Sequence, residues 1–228
     1  MVKEVKKVAK KKTVRKNRAG SKSEVTRQVL LEAAQDVFAE KGMDSSTIEN
    51  ITERADVGKG TFYYHFEDKN EIILELLGRI MEELTEAIDA KCRDLEDLEE
   101  LIDALIKAHL EFFATRMDDF ILYFQGRADL TIKESYEGID EPILAYLDHI
   151  ADLLDDVIMY HLQRNTLIRI AWAVAGFVSG YFSFAVISYE EEKLDETLEP
   201  VRKALVVGLS RFIKEAIPKI AETQQSLL

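Results

Sequence analysis

The segment GKGTFYYHF, residues 58 to 66, places two glycines, a lysine and five rings in nine positions. Three chemistries could use such a run. A phosphate-cradling loop needs a glycine five residues ahead of the Gly-Lys pair and a Ser or Thr directly after it, but Glu53 and Gly60 occupy those places. A dinucleotide-binding turn needs a third glycine at position 63 and an apolar strand ahead of it, yet Tyr63 stands there behind a polar stretch ending in Glu53 and Arg54. The third is the second helix of a helix-turn-helix, whose N-terminal end enters the major groove of duplex DNA while the preceding helix crosses the backbone.

Helical spacing fits the third reading. Phe62 and Phe66, four apart, share one face and can pack on Leu30, Val37 and Phe38 of an upstream helix. Lys59 and Tyr63 share another face, with Gly60 and Tyr64 beside them. The rings are therefore expected to divide the work, with Phe inward for packing and Tyr outward for contacts that use both an apolar body and a hydroxyl. Gly58 and Gly60 would let the backbone approach a partner closely.

The elements that must position this segment are helices. Three prolines, no Asn-Gly or Asp-Gly pair and no sustained alternation predict an all-α fold. Leu30, Ala33, Ala34, Val37 and Phe38 mark a first helix over 24–41, with Gly42 as its C-terminal cap. Ser46 and Glu49 read as a capping box for a second helix over about 47–54, and Ala55 to Gly58 as the turn. Lys59 to Phe66 follows, and from Lys69 the series Ile72, Ile73, Leu76, Leu77, Ile80, Leu84 and Ile88 predicts a long fourth helix. Amphipathic helices continue around 98–113, 118–130 and behind Pro142, and two more apolar ones run over about 165–189 and 194–217. Positions 170 to 187 carry no charge, but Ser179, Ser183, Gly176 and Gly180 dilute their apolarity, so a buried helix is expected and no membrane span.

Charge divides the chain. Of 30 Lys/Arg and 43 Asp/Glu, ten basic residues and one acid fall in residues 1 to 22, leaving 20 basic and 42 acidic residues downstream. A cationic, flexible arm of net +9 thus precedes a body of net −22, which suggests a polyanion partner for the arm, or else a solubilising leader. One cysteine, Cys92, excludes an intramolecular disulfide and a Cys-rich metal cluster and points to the reducing cytoplasm. No apolar core follows the first lysines, so no signal peptide is expected.

Catalysis finds little to use. His109, His149 and His161 form neither HxxxH nor HExxH, Cys92 sits in a charged helix end, and the pairs Asp118–Asp119 and Asp155–Asp156 read as solvated faces. Neither a catalytic role nor a metal or cofactor is expected. An enzyme using a helical pocket and a membrane-surface protein using the arm are the alternative classes.

Over residues 47 to 76, TIENITERADVGKGTFYYHFEDKNEIILEL, the sequence resembles the TetR family of bacterial transcriptional repressors. The resemblance implies a ligand-responsive regulator that binds a double-stranded DNA operator as a homodimer. It divides the chain into the arm 1–22, a helix-turn-helix domain 23–68, and an effector-binding and dimerisation domain 69–228 whose last two helices pair across a two-fold axis. It implies that Thr47 opens the second helix against a phosphate, that Lys59, Gly60, Thr61 and Tyr64 lie at the major groove, that Tyr63 and His65 hold phosphates, and that Lys69 meets the DNA backbone. Where many relatives carry Ser, this chain has Gly58. Polar groups beside apolar stripes nominate an effector pocket of His109, Phe113, Tyr123, Phe124, Arg127, His161, Trp172 and Tyr181, suited to an apolar or amphipathic small molecule such as a fatty acyl thioester.

Overall fold

The computed structural model describes the backbone of residues 2–132, 137–160, 162–188 and 191–216, and the side chains within 22–126, 137–160, 162–183 and 199–215. The fold is all-α, and no strand occurs among the described residues. The elements are α1 (Val2–Lys41), α2 (Ile48–Arg54), α3 (Lys59–His65), α4 (Lys69–Cys92), α5 (Leu98–Ala114), α6 (Met117–Ile132), α7 (Asp140–Val157), α8 (Arg164–Ser188) and α9 (Glu191–Arg211), which closes in a π-helical turn, Phe212–Ala216.

The first helix is longer than the sequence suggested. Residues 2 to 22, expected as a flexible arm, continue α1 as helix. Lysine, arginine and alanine are good helix formers, and the segment holds no proline to stop the helix. At the other end Gly42 adopts φ +81°, the left-handed conformation that only glycine takes without strain, and its N–H donates to Phe38 O at 2.9 Å.

The cap of α2 lies one residue later than expected. Thr47 is the N-cap, its hydroxyl accepting from the Asn50 N–H at 3.2 Å while the Asn50 side chain accepts from the Thr47 N–H at 3.3 Å. Ser46, read as the cap, is buried instead and donates to Gly42 O at 2.6 Å. Its hydroxyl finds a bond in the turn it already occupies, which leaves the helix start to its exposed neighbour.

From α4 onward the helices enclose an apolar centre. α4 packs on α5 and α7, and α8 lies against α7, α5 and α9. Ile72, Ile73, Leu77, Leu84 and Ile88 of α4 are fully buried, as the sequence series required. Asp97 caps α5 by accepting from the Glu99 and Glu100 N–H groups, which draws its carboxyl below the usual range. The segment Arg164–Ser183 is long and apolar enough to cross a membrane by composition, but Ala171, Val174, Ala175 and Val178 are buried within the fold.

Candidate nucleic-acid interface

The helix-turn-helix is built around one shared core. Phe62 of α3 and Phe66, which caps its C-terminus, are buried beside Leu30, Val37 and Phe38 of α1 and Ile51 of α2. The turn between α2 and α3 passes through Asp56 at φ +52°, a left-handed position that Asp tolerates better than most residues. Arg27 of α1 reaches across to stack 4.7 Å from the Phe66 ring centroid and to grip Glu75 of α4 with both guanidinium nitrogens. The pair fastens α1 and α3 to α4.

With the phenylalanines inside, Tyr63 and Tyr64 stand 57% and 75% exposed, and Gly58, Lys59 and Gly60 are exposed beside them. Thr47 lies exposed at the start of α2. Thr61 and His65 are partly buried, and the His65 ring meets Tyr64 edge-on at 4.9 Å. A Cβ placed on Gly58 or Gly60 would meet nothing within 4 Å. Seven of the eight nominated residues are therefore exposed or partly exposed, at the start of α2 and along α3.

Lys69 departs from the expectation. Its ammonium points inward and donates to Met43 O at 2.7 Å and Ser46 O at 2.9 Å, clamping the turn between α1 and α2. Burial pulls its pKa down. Hydrogen bonds to charged groups are worth roughly 1.5–3 kcal/mol each, so leaving these carbonyls for a phosphate offers no gain. Lys69 is a brace for the reading surface.

The same turn is held from the other side. The Met43 N–H donates to Gln125 Oε1 of α6 at 3.0 Å, and Gln35 of α1 donates to Asp119 of α6. Asp119, expected on a solvated face, is thus half-buried, and desolvation raises its pKa although Arg116 opposes the shift. The N–H and C=O of Met43 are two of the points where α6 and α4 meet the helix-turn-helix, beside Gln35–Asp119 and Arg27–Glu75. Sequence reading missed both Gln125 and Asp119 in this role, because their partners lie 82 and 84 residues away.

Electrostatics at the surface are local. Residues 23 to 70 carry five basic and ten acidic groups. Arg27 is paired with Glu75, Arg54 with Asp36 and Glu40, Lys59 with Glu49, and Lys69 serves carbonyls. The Lys59–Glu49 pair is more than half exposed on both sides, so little holds it against a competing phosphate.

Residues 30–76 match the model for bacterial regulatory proteins of the tetR family. These residues belong to the TetR family. The chain is 37% identical over 91 residues to the HTH-type transcriptional repressor BepR of Brucella suis, a match spanning 40% of this chain and 44% of that protein. It is 29% identical over 110 residues to the HTH-type transcriptional regulator YvdT of Bacillus subtilis, across 48% of this chain and 57% of that one. The chain thus spans about half the length of the relatives it matches in sequence. In fold, it resembles the fatty acid degradation regulator FadR of Bacillus halodurans with a TM-score of 0.60 at 20% identity, covering 82% of this chain and 93% of the other. It also resembles Bacillus subtilis FadR in complex with stearoyl-CoA, with a TM-score of 0.58 at 18% identity, over 83% and 98% of the two chains. At such identities the likeness is one of fold.

Behind the TetR domain, most of the described residues nominated for an effector pocket gather in or beside one packed aromatic cluster. His109, Phe113 and Tyr123 are buried in a packed aromatic cluster with Phe120, Tyr146 and Phe182, where Phe113 stacks on Tyr123 at 5.5 Å. Phe124 turns outward, 45% exposed. Trp172 is partly buried against the core, and Tyr181 lines a separate cleft on α8. His161 and the Arg127 side chain lie outside the described residues. Among the described residues, no group of three His, Cys, Asp or Glu could hold a metal ion. Cys92 is buried, and desolvation pushes its thiol up to about 11.

His109 gives the cluster a pH signature. Its Nδ1–H donates to Leu105 O at 2.6 Å, so Nε2 accepts from the Tyr146 hydroxyl. Burial lowers its pKa from 6.5 to about 4. Above the unfolded value neither state takes a proton. Below it, the unfolded chain protonates while the folded one does not, so stability falls as pH drops from 6.5 towards 4, by up to about 3 kcal/mol from this group. Urea titrations at neutral pH and near pH 5 should show a smaller loss in His109→Gln than in the parent.

Proposed function

We propose that the chain is a ligand-responsive transcriptional regulator, a cytoplasmic repressor that a small apolar or amphipathic effector releases from its operator. The observation that carries this reading is the division of α3: Phe62 and Phe66 are spent on the core, while Lys59, Gly60, Tyr63 and Tyr64 are left on an open face at the N-terminal side of a second helix. On this reading Thr47, Tyr63 and His65 meet phosphates and fix the register. Lys59, Gly60, Thr61 and Tyr64 read base edges, and Lys69 positions the turn.

Two copies pair through α8 and α9. Support comes from Gly176 and Gly180, around which an added Cβ would meet nothing, and from Val201, Val207 and Phe212, which are about half exposed on α9 and its closing turn. In a lone chain Gly180→Glu has room, so its effect reports association. Sedimentation at micromolar concentration should show a dimer for the parent and a monomer for Gly180→Glu. Selection from random duplexes should enrich an inverted repeat whose half-site centres lie one helical turn, or a multiple of it, apart. Failure to enrich any sequence would overturn the reading.

Release is transmitted where α4 and α6 grip Met43 through Lys69 and Gln125. An effector that weakens DNA binding must itself bind the DNA complex less tightly by the same factor, since the coupling is reciprocal. An acyl chain is the effector class favoured by the apolar, aromatic body and by the fold neighbour bound to stearoyl-CoA.

A further inference from the structure

Among the described residues, two regions of the helical body offer cavities, and they differ in whether cations line them. The groove between α4 and α7, about 410 Å³, is lined by Glu82, Glu86 and Asp89, with no Lys or Arg among its described lining residues. An anion there meets carboxylates. The cleft between α5, α8 and α9, about 250 Å³, sets Leu110, Phe177 and Tyr181 against Lys107 and Arg202. A neighbouring cavity of about 600 Å³ shares Lys107, Glu199 and Arg202 and extends to Val206 and Val207.

Arg202 is built into the boundary of both. Its side chain is only 10% exposed, and Nη1 is paired with Asp103, whose carboxylate also takes Lys107 at 2.7 Å. One carboxylate therefore already sits between these two cations. Nη2 lies 3.6 Å from Glu199, too far for a hydrogen bond, and Glu199 is 54% exposed with Lys203 at 2.8 Å as a second partner. Displacing Glu199 from Arg202 leaves it paired, and it opens one edge of a planar guanidinium whose fork matches a carboxylate. The apolar wall begins beside it.

We propose that this cleft binds a long-chain carboxylate, its head on Arg202 and Lys107 and its chain against Leu110, Phe177 and Tyr181. The inference deepens the effector reading above and rests on it for its regulatory meaning. It also selects among acyl ligands. Glu99, Glu100, Asp103, Glu111 and Glu199 line the two cavities beside Lys107, Arg202 and Lys203, so a head with one negative charge meets less repulsion than a polyphosphate head. The free acid is preferred over its CoA thioester, against the expectation from sequence.

Calorimetry on the full chain tests this with dodecanoate, dodecanol and dodecanoyl-CoA, each below its aggregation concentration. Dodecanoate should bind more tightly than the thioester. Lys107→Glu, an exposed change that leaves the core intact, should weaken dodecanoate about tenfold while leaving dodecanol unchanged. Phe177→Glu should weaken all three, and Glu86→Lys in the other groove should weaken none. Equal dodecanoate affinity in the parent and Lys107→Glu, or tighter binding of the thioester, would overturn the site. Operator release is measured separately: dodecanoate that binds here without releasing operator leaves the site standing and removes the effector reading, whereas release by dodecanoate that survives both Lys107→Glu and Phe177→Glu does the reverse.

Discussion

Truncating Phe62 to alanine should lower the unfolding free energy by about 3–5 kcal/mol, while Tyr64→Ala, two positions on, should leave it within about 0.5 kcal/mol. The contrast follows from burial: Phe62 is fully enclosed with its ring 5.6 Å from Phe66, whereas Tyr64 is 75% exposed. Phe62 closes the joint between α1, α2 and α3, so its loss leaves a cavity that short helices cannot collapse to fill. In DNA binding the order reverses. Tyr64→Ala should reduce operator affinity about tenfold, within the 1–3 kcal/mol expected for a base-reading contact, and hardly change affinity for random duplex. Urea unfolding and fluorescence anisotropy on both duplexes separate the outcomes. A Tyr64→Ala protein that unfolds easily, beside a Phe62→Ala protein of parental stability, would invert the facing of α3.

Removing residues 1 to 22 should produce the largest change in salt dependence. The helix-turn-helix unit is acidic in sum, and Arg27, Arg54 and Lys69 are committed to partners, so few of its cations are disposed to meet phosphates. The N-terminal segment carries ten basic residues and one acid. As a continuation of α1 its 21 helical residues reach roughly 30 Å, close to one duplex turn. Each phosphate it neutralises adds roughly 0.9 to the slope of log affinity against log salt, so truncation should flatten that slope by several units in the proposed dimer. Affinity should fall for every sequence at low salt, and preference for operator should persist, because phosphate contacts position a protein on DNA and the proposed reading assigns the bases to α3. A salt titration of full-length and truncated protein is the measurement. An unchanged slope would exclude the segment from DNA binding.

What was legible in the sequence was what depends on neighbours. The split of Phe62 and Phe66 from Tyr63 and Tyr64 follows from helical spacing, and the buried face of α4 from its three-and-four series. Gly42 announced the end of α1. What was not legible depends on groups far apart in the chain. Nothing near Lys69 states that the carbonyls of Met43 and Ser46 will receive its ammonium, and nothing near Asp119 states that Gln35 will cover it. The cap of α2 fell to Thr47 because Ser46 was captured by Gly42 O. Polar groups beside apolar stripes nominate effector residues by a rule that cannot tell a hydrogen-bonded core histidine such as His109 from a ligand contact.

Gly58 carries a consequence for how such a regulator can be tuned. It is the N-cap of α3, at φ −79° and ψ 154°, a conformation open to any residue, with no side-chain cap and empty space where a Cβ would stand. Serine in place of glycine at an N-cap alters helix stability by only a few tenths of a kcal/mol. A hydroxyl there would stand exposed beside Lys59 and Gly60, where the proposed reading puts the duplex. On that reading the position is a dial for repression strength that is nearly independent of folding. A lineage needing a tightly silenced gene, or one that leaks and responds quickly, can move between the two by a single codon without disturbing the rest of the molecule.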